Sequence, residues 1–273
     1  MTIKELLEKI DFPKEASAGV IDYLAEKDKG EYDEILSRLV EISTFEAAWE
    51  ELKTALGNDE HQRRALALEL KAALTTYEKY LSEGIPERVF VDTLKAYTRY
   101  AKSYEKTYGE WGFEHASWLP RHLSMRIFRL GTLEYEYKEF LGDNSIVIHI
   151  PPDAVLDSDL LDDSFLQAKE FAKKFRPEFV GKRIIGNTWL TSPVLEELLP
   201  EGSKILTFKR KFDIIEHKAG ESYISSFVFE RPGFNPDTDD IDSLPERTSL
   251  QRSIKALYKR GGRVGFGVGI LKD

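Results

Sequence analysis

The chain has 273 residues, of which 41% are hydrophobic and 32% charged, which is typical of a globular protein and argues against global disorder. It contains no cysteine, and this excludes disulfides, thiol nucleophiles and thiolate metal sites. The formal net charge of −9 argues against nucleic acid as the general partner, because binding to phosphates depends on basic side chains.

The pattern of the first eight residues indicates the cellular compartment of the protein. Residues 1–8 alternate charged and apolar side chains and contain no apolar core of the kind that a signal peptide needs. No uninterrupted apolar run approaches the roughly 18 residues that a membrane span requires. We therefore expect a cytoplasmic protein with no membrane partner.

The N-terminal part of the chain shows helical patterns throughout. The first apolar residues recur at the spacing of one helix face, at Ile3, Leu6, Leu7 and Ile10. Two long helices are predicted at residues 59–82 and 86–108. The second carries four tyrosines along one side, which predicts a packing face formed by Tyr97, Tyr100, Tyr104 and Tyr108. We expect an all-helical domain over residues 1–117, with no strand in residues 1–112.

From residue 118 the pattern changes to strands alternating with helices. Helices are predicted at residues 159–175 and 193–199 and around Leu250, Ile254 and Leu257. Strands are predicted at residues 126–140 (two strands or one bent strand), 145–150, 182–190, 205–216, 223–230 and 263–271. The expected fold class is α+β, with a mixed α/β sheet of at least five strands in a second domain over residues 118–273.

A basic helix near the C-terminus is a candidate anion site. From residue 247 onward the chain carries seven basic side chains against one carboxylate, and Arg252, Lys255 and Lys259 share one side of the predicted helix. Gly265 and Gly267 lie in the strand that follows. A local cationic groove beside backbone without side chains would suit a phosphate-bearing ligand. The alternative is a solvated helix face and a strand whose glycines let neighbouring segments approach closely.

Metal sites and serine hydrolase chemistry find little support. Residues 235–246 place oxygen side chains at several positions of a calcium loop, but the sixth position is Asp240 instead of glycine and two prolines intrude. We expect a solvated acidic loop there. The sequence contains no H-E-x-x-H zinc spacing and no G-x-S-x-G nucleophile motif, so no metal is expected.

His149 is the histidine with the clearest pattern around it. It stands in the segment Ile148-His149-Ile150, at the end of a predicted strand, where α/β folds place their ligands. Strand alternation turns it away from the face of the isoleucines. A histidine in this position can act as a general base. The alternative is a histidine that is hydrogen-bonded to the neighbouring strand for structural reasons.

Several segments taken together resemble bacterial acyltransferase-domain proteins, which pair an N-acyltransferase N-terminal helical domain with a GNAT-like C-terminal domain. The resemblance covers residues 118–271 in the order of the family and is only architectural before residue 118. The segments that carry it are Trp118-Leu119-Pro120-Arg121-His122, Phe128-Arg129-Leu130-Gly131-Thr132-Leu133-Glu134-Tyr135, Ile148-His149-Ile150-Pro151, Thr188-Trp189-Leu190-Thr191-Ser192-Pro193, Leu198-Leu199-Pro200, Ser203-Lys204-Ile205-Leu206-Thr207-Phe208 and Thr248-Ser249-Leu250-Gln251-Arg252.

The resemblance implies direct transfer of an acyl group, from an acyl-CoA donor to an amine or hydroxyl of a small-molecule or peptide acceptor. His149, or Glu134 through a water, would be the base, and Tyr135 would donate a proton. The donor thioester would lie at the ends of the fourth and fifth strands of the GNAT sheet. The donor-binding residues would be Trp189, Arg252, Lys255, Lys259, Gly265 and Gly267.

The chain departs from the GNAT pattern in the turn after the fourth strand. GNAT enzymes hold the pyrophosphate in a glycine-rich turn there, whereas residues 151–163 contain no glycine, two prolines and five aspartates. These carboxylates would repel a pyrophosphate. Either CoA binds differently, against the Arg252 helix, or the donor is not CoA, or the fold has lost catalysis. A catalytically silent module for ligand binding or protein interaction is therefore the alternative function.

Overall fold

The computed structural model describes residues 1–220 and 223–272. The chain forms two compact units, Met1–Leu130 and Gly131–Asp273. The expected α+β fold class, with helices first and a mixed sheet afterwards, is confirmed. The domain boundary expected between residues 117 and 118 stays a prediction. Within the described ranges, no helix combines the length and the apolar composition needed to cross a membrane.

The first unit is built from helices and ends in one short strand, β1 (Ile127–Leu130). Residues 1–112, all of which are described, contain no strand, as predicted. The helices are α1 (Ile3–Lys9), α2 (Lys14–Glu26), α3 (Asp33–Leu39), α4 (Phe45–Leu56), α5 (Arg63–Ser82), α6 (Glu87–Tyr108) and α7 (Pro120–Leu123).

Part of the predicted tyrosine face of α6 packs inside the first unit, whereas Tyr108 is exposed. Tyr97 and Tyr104 are buried, and the ring of Tyr97 stacks on Phe113 with 5.9 Å between ring centroids. The Tyr97 hydroxyl donates a hydrogen bond of 3.0 Å to Glu69 Oε2. Burial raises the pKa of the Glu69 carboxyl well above its ordinary value, and the hydrogen bond from Tyr97 only partly opposes this effect. The core of the first unit therefore favours the neutral form of this carboxyl.

In residues 131–220 and 223–272, the second unit contains five strands in the order β2-β3-β4-β6-β5. The central pair, β3 and β4, is parallel, and the other neighbouring pairs in this unit are antiparallel. The strands are β2 (Leu133–Phe140), β3 (Asp143–His149), β4 (Ile184–Thr188), β5 (Phe212–Lys218) and β6 (Phe266–Leu271).

Five helices accompany the sheet, and the longest of them covers one of its faces. Tyr135 and Tyr137 of β2 point to this helix: Tyr135 Oη lies 2.8 Å from Ser164 Oγ, and Tyr137 Oη donates to the carbonyl oxygen of Ala168 at 3.0 Å. We call this side of the sheet the helix face. The helices are α8 (Ser158–Phe175), α9 (Leu195–Leu198), α10 (Lys204–Arg210), α11 (Ile224–Phe227) and α12 (Ser249–Lys259).

Two of the predicted strands are wrong. Residues 205–216 begin as helix α10 and become strand β5 only at Phe212, and residues 223–230 contain helix α11 and no strand. Short apolar runs of this length fit a helix or a strand equally well, so packing decides. Leu206, Ile224 and Phe229 belong to one buried cluster formed around α12, and β5 pairs with β6 instead of with residues 223–230.

Candidate active site

Strand β3 ends at His149, and its register with β2 fixes the side of the sheet on which the imidazole lies. Ile148 pairs with Tyr135 and therefore lies on the helix face. His149 pairs with Glu134, and Val147 pairs with Glu136, so these four residues lie on the opposite side. We call this side the His149 face. The predicted orientation of His149, away from the isoleucines, is confirmed.

The His149 imidazole contacts a carboxylate of the neighbouring strand. His149 Nε2 lies 3.0 Å from Glu136 Oε2, and Lys138 Nζ lies 2.6 Å from the same oxygen. Glu136 is 1% exposed, whereas the His149 side chain is 26% exposed. The imidazole is thus held from the buried side by a carboxylate and keeps part of its surface open to solvent.

The environment of Glu136 favours its ionised form. Burial alone would raise the pKa of the carboxyl, but the hydrogen bonds and charges of His149 and Lys138 outweigh this and lower the pKa to about 2. A carboxylate that stays ionised can orient an imidazole and stabilise the imidazolium formed when the ring accepts a proton. The pair therefore has the chemistry of a general base with its orienting group.

The other two predicted catalytic residues, Glu134 and Tyr135, lie on opposite sides of the sheet. Glu134 is buried on the His149 face and is the direct register partner of His149, and the imidazole also lies 3.0 Å from Glu136 Oε2. Tyr135 is buried on the helix face beside Ser164. Tyr135 therefore lies on the other side of the sheet from His149, and its role as a proton donor stays a prediction.

The parallel ladder between β3 and β4 stops near His149. Its last pair is Ile148 with Gly186, whereas β3 runs to His149 and β4 to Thr188. Trp189 directly follows β4 in a short 3-10 helix and packs against the buried cluster around α12. The ends of the two strands and the His149 imidazole thus lie at the same edge of the sheet.

The acidic turn after β3 is partly neutralised. It leads into α8, whose first turn contains Asp159. Lys204 Nζ lies 2.5 Å from Asp157 Oδ1, and Lys211 Nζ lies 2.7 Å from Asp162 Oδ1. Two of the five aspartates in residues 151–163 therefore form an ion pair with a lysine, and these two lysines lie beside the beginning of α8.

The expected cationic groove on α12 is not formed, because the acidic loop of residues 235–246 uses its side chains. Lys255 Nζ donates to the carbonyl oxygens of Asp242 and Leu244 and lies 2.8 Å from Glu246 Oε1. Lys259 forms an ion pair with Asp242, and Arg252 donates to the carbonyl oxygen of Glu246. The prediction of an open groove lined by these three residues is therefore wrong.

The glycines of β6 give room to other parts of the same chain. A Cβ at Gly267 would lie 2.2 Å from the carbonyl oxygen of Thr191, and one at Gly265 would lie 2.4 Å from that of Lys218. Gly265 also has a φ of +67°, which side chains rarely tolerate. Close approach of neighbouring segments, the alternative stated above, accounts for both glycines, and their expected place beside a ligand phosphate is wrong.

The contacts of Lys255 lead to a prediction about stability. The side chain is 7% exposed, so Lys255→Ala would leave two backbone carbonyl oxygens and the exposed Glu246 carboxylate without their donor. We expect the free energy of unfolding, measured by urea titration, to fall by about 2–4 kcal/mol. Lys259→Ala is the matched control, because this residue of the same helix forms an exposed ion pair that contributes much less to stability. Equal losses for the two variants would contradict the structural role of Lys255.

Groups of three or more carboxylate or histidine side chains that could hold a metal ion do not occur within residues 1–220 and 223–272. In the loop of residues 235–246, Asp239 accepts a hydrogen bond from the backbone N–H of Asn235. Asp240 accepts one from the backbone N–H of Asp242. These carboxylates therefore bind the loop's own backbone.

Glu136 is the site residue that the sequence did not identify. The signal was present in the alternation of Glu134 and Glu136 along β2, which places both carboxylates on one side of the strand. The choice between them depends on the register of β2 against β3 and on the reach of each side chain. Diagonal neighbours across a strand pair are close enough for long side chains to touch.

Comparisons with known families agree with the sequence resemblance. A family model described as "GNAT-like C-terminal domain" matches residues 127–271, and one described as "N-acyltransferase N-terminal domain" matches residues 1–125. No curated protein matches the chain by sequence.

Solved structures show the same fold. One is an acyltransferase in complex with decanoyl-CoA and teicoplanin, with 23% identity and a TM-score of 0.77 over 98% of this chain and 87% of that chain. Another is a mutant acyltransferase in complex with octanoyl-CoA, with 22% identity and a TM-score of 0.76 over the same shares. A third is an acyltransferase in complex with decanoyl-CoA, with 23% identity and a TM-score of 0.75 over 98% of this chain and 86% of that chain.

Proposed function

Because the chain belongs to the family of proteins with a GNAT-like C-terminal domain, we propose that it is an acyltransferase. It moves an acyl group from an acyl-CoA to an amine or hydroxyl of a small-molecule or peptide acceptor. The observation that carries this proposal is the contact of His149 with the buried Glu136 carboxylate, at the sheet edge where the ladder between β3 and β4 stops.

The reaction needs one proton acceptor at this edge. The acceptor's nitrogen or oxygen attacks the thioester carbonyl carbon, the new C–N or C–O bond forms, and the C–S bond breaks. His149 takes the proton from the attacking atom, Glu136 holds the imidazole in place, and the proton then passes to the departing thiolate. No covalent intermediate with the protein is needed, which suits a chain without cysteine. Positioning of the two substrates supplies the rest of the rate.

The donor that fits best is a CoA thioester with a medium-length acyl chain. The solved structures of similar fold contain decanoyl-CoA and octanoyl-CoA, and this supports the choice of chain length. For the donor phosphates we propose Lys204 and Lys211, which lie beside the beginning of α8. The Lys204 side chain is 66% exposed, and an exposed ion pair contributes little, so Lys204 can exchange Asp157 for a phosphate.

The similar structures and the composition of the chain support an acceptor class and a compartment. Two of the similar structures contain teicoplanin, a glycopeptide, together with CoA or an acyl-CoA, which supports an acceptor of the small-molecule or peptide class. A chain without cysteine that uses acyl-CoA suits the reducing cytoplasm. A catalytically silent module was favoured by the acidic turn, and the lysine partners of Asp157 and Asp162 weaken that alternative.

Binding of the donor can be tested by thermal unfolding. A ligand that binds only the folded state at 100 times its Kd adds about 2.7 kcal/mol to the free energy of unfolding. We expect decanoyl-CoA and octanoyl-CoA to raise the Tm by several degrees, with a smaller effect for CoA and none for decanoate. A Tm that no CoA thioester changes would contradict the proposed donor.

A further inference from the structure

Asn187 is a polar side chain open to solvent on a central strand. Strand β4 consists of five described residues, and the other four are buried. The space beside its two neighbours along the strand, Gly186 and Thr188, is occupied by the chain itself. A Cβ at Gly186 would contact Phe212 and Thr191, and Thr188 Oγ1 accepts a hydrogen bond from the backbone N–H of Leu190. Asn187 is thus the side chain that β4 presents to solvent at this edge.

Asn187 lies on the His149 face. Gly186 pairs with Ile148, which is on the helix face, so alternation puts Asn187 on the other side. The last pair of the ladder joins Ile148 to Gly186, so the next residue of each strand is His149 in β3 and Asn187 in β4. The two side chains therefore flank the edge at which the two strands end, on the side where the proposed base lies.

The amide of Asn187 makes no side-chain hydrogen bond within the described residues, whereas Asn144 at the other end of β3 donates to the carbonyl oxygen of Glu178. An asparagine side chain offers two donors and one acceptor in a plane. A hydroxyl or amide group of a substrate can pair with it in both directions.

We propose that Asn187 is an acceptor-positioning residue, whose amide hydrogen-bonds a hydroxyl or amide group next to the acceptor's nucleophilic atom. The inference rests on the proposed function. It assigns Asn187 to the acceptor because the group that His149 deprotonates must lie on the His149 face. The preferred acceptors are then amines that carry a hydroxyl or amide group beside the nucleophilic nitrogen, and analogues without that group are poor acceptors.

The test compares two amines with decanoyl-CoA as donor: glucosamine, and cyclohexylamine as the analogue without hydroxyl groups. For Asn187→Ala we expect the KM for glucosamine to rise about tenfold and the preference for glucosamine over cyclohexylamine, as a ratio of kcat/KM, to fall about tenfold. The KM for decanoyl-CoA and the Tm should stay near the wild-type values. Asn187→Ser, which keeps a hydrogen-bonding group, should recover part of the preference.

Asn144→Ala is the matched control, because it makes the same change on the neighbouring strand at the opposite end, and it should leave both amines unaffected. A rise in the KM for decanoyl-CoA with an unchanged preference would overturn the inference and assign Asn187 to the donor. Unchanged kinetics in an active protein would overturn it too, and leave the proposed function standing. If the wild-type protein binds decanoyl-CoA but transfers the acyl group to neither amine, the proposed transfer to amines is wrong, and this inference is wrong with it.

Discussion

Replacement of His149 by glutamine should lower the rate of acyl transfer by about 10²–10⁴-fold and leave the fold intact. The glutamine amide can still donate a hydrogen bond to Glu136 Oε2, so the contact between β3 and β2 is kept. It has no basic nitrogen, so the proton of the attacking group loses its acceptor. The loss is measured as kcat for transfer from decanoyl-CoA, with the Tm as the check on folding.

His217→Gln is the control for this variant. His217 is an exposed histidine on β5, and its Nε2 lies 3.1 Å from the carbonyl oxygen of Val264, so the change tests the loss of an imidazole outside the proposed site. Its kcat should stay within about twofold of wild type. If His149→Gln also kept its kcat and only lost stability, His149 would be a structural residue, and the assignment of the base would be wrong.

Replacement of Glu136 by glutamine is the second change with a large expected effect. The variant keeps the shape of the side chain but removes the charge that orients His149 and pairs with Lys138. We expect kcat to fall by about 10²-fold or more, because the imidazole loses the partner that holds its orientation and stabilises its charged form. The Michaelis constant for the donor should change little, since Glu136 is buried beneath the imidazole.

The same variant changes how stability depends on pH. The pKa of Glu136 falls from 4.5 to about 2 in the folded chain, so the folded state binds fewer protons than the unfolded state between these values. The stabilisation, about 3 kcal/mol, is complete above pH 4.5 and disappears as the pH falls towards 2. Glu136→Gln should therefore lose stability at pH 7 and show a shallower decline between pH 4.5 and 2.

Glu139→Gln on the same strand is the matched control, because Glu139 is exposed. It should keep both the wild-type kcat and the wild-type dependence of stability on pH. An equal acid dependence in Glu136→Gln and wild type, measured by urea unfolding at several pH values, would show that Glu136 does not carry the assigned ion pairs.

The side of the sheet on which His149 lies could be predicted because it depends only on strand alternation, which the flanking isoleucines reveal. Its partner could not be predicted, because Glu134 and Glu136 share one side of β2 and the choice requires the register and the reach of each carboxylate. Residues 205–208 could not be assigned from their short apolar run, since burial against the second unit's core favours the helix.

Whether the basic side chains of α12 are available to a ligand depends on contacts between distant parts of the sequence. The spacing of Arg252, Lys255 and Lys259 correctly placed them on one helix, but nothing in that spacing reveals that the acidic loop folds back on them. The loop was interpreted as solvated, although several of its oxygens bind these cations. Opposite net charges of two segments of a chain are a sequence signal for such a pairing.

Acyl transfer by the chain is tested most directly by the release of CoA from decanoyl-CoA in the presence of an amine, followed with a thiol-reactive dye. The chain has no cysteine, so every thiol detected belongs to CoA. We expect release that requires both the protein and glucosamine, equals the amount of N-decanoyl glucosamine found by mass spectrometry, and falls about 10²–10⁴-fold in His149→Gln. The contrary result is that decanoyl-CoA binds but no CoA is released with glucosamine or with a wider set of amines and alcohols. It would contradict an acyltransferase and favour a silent binding module.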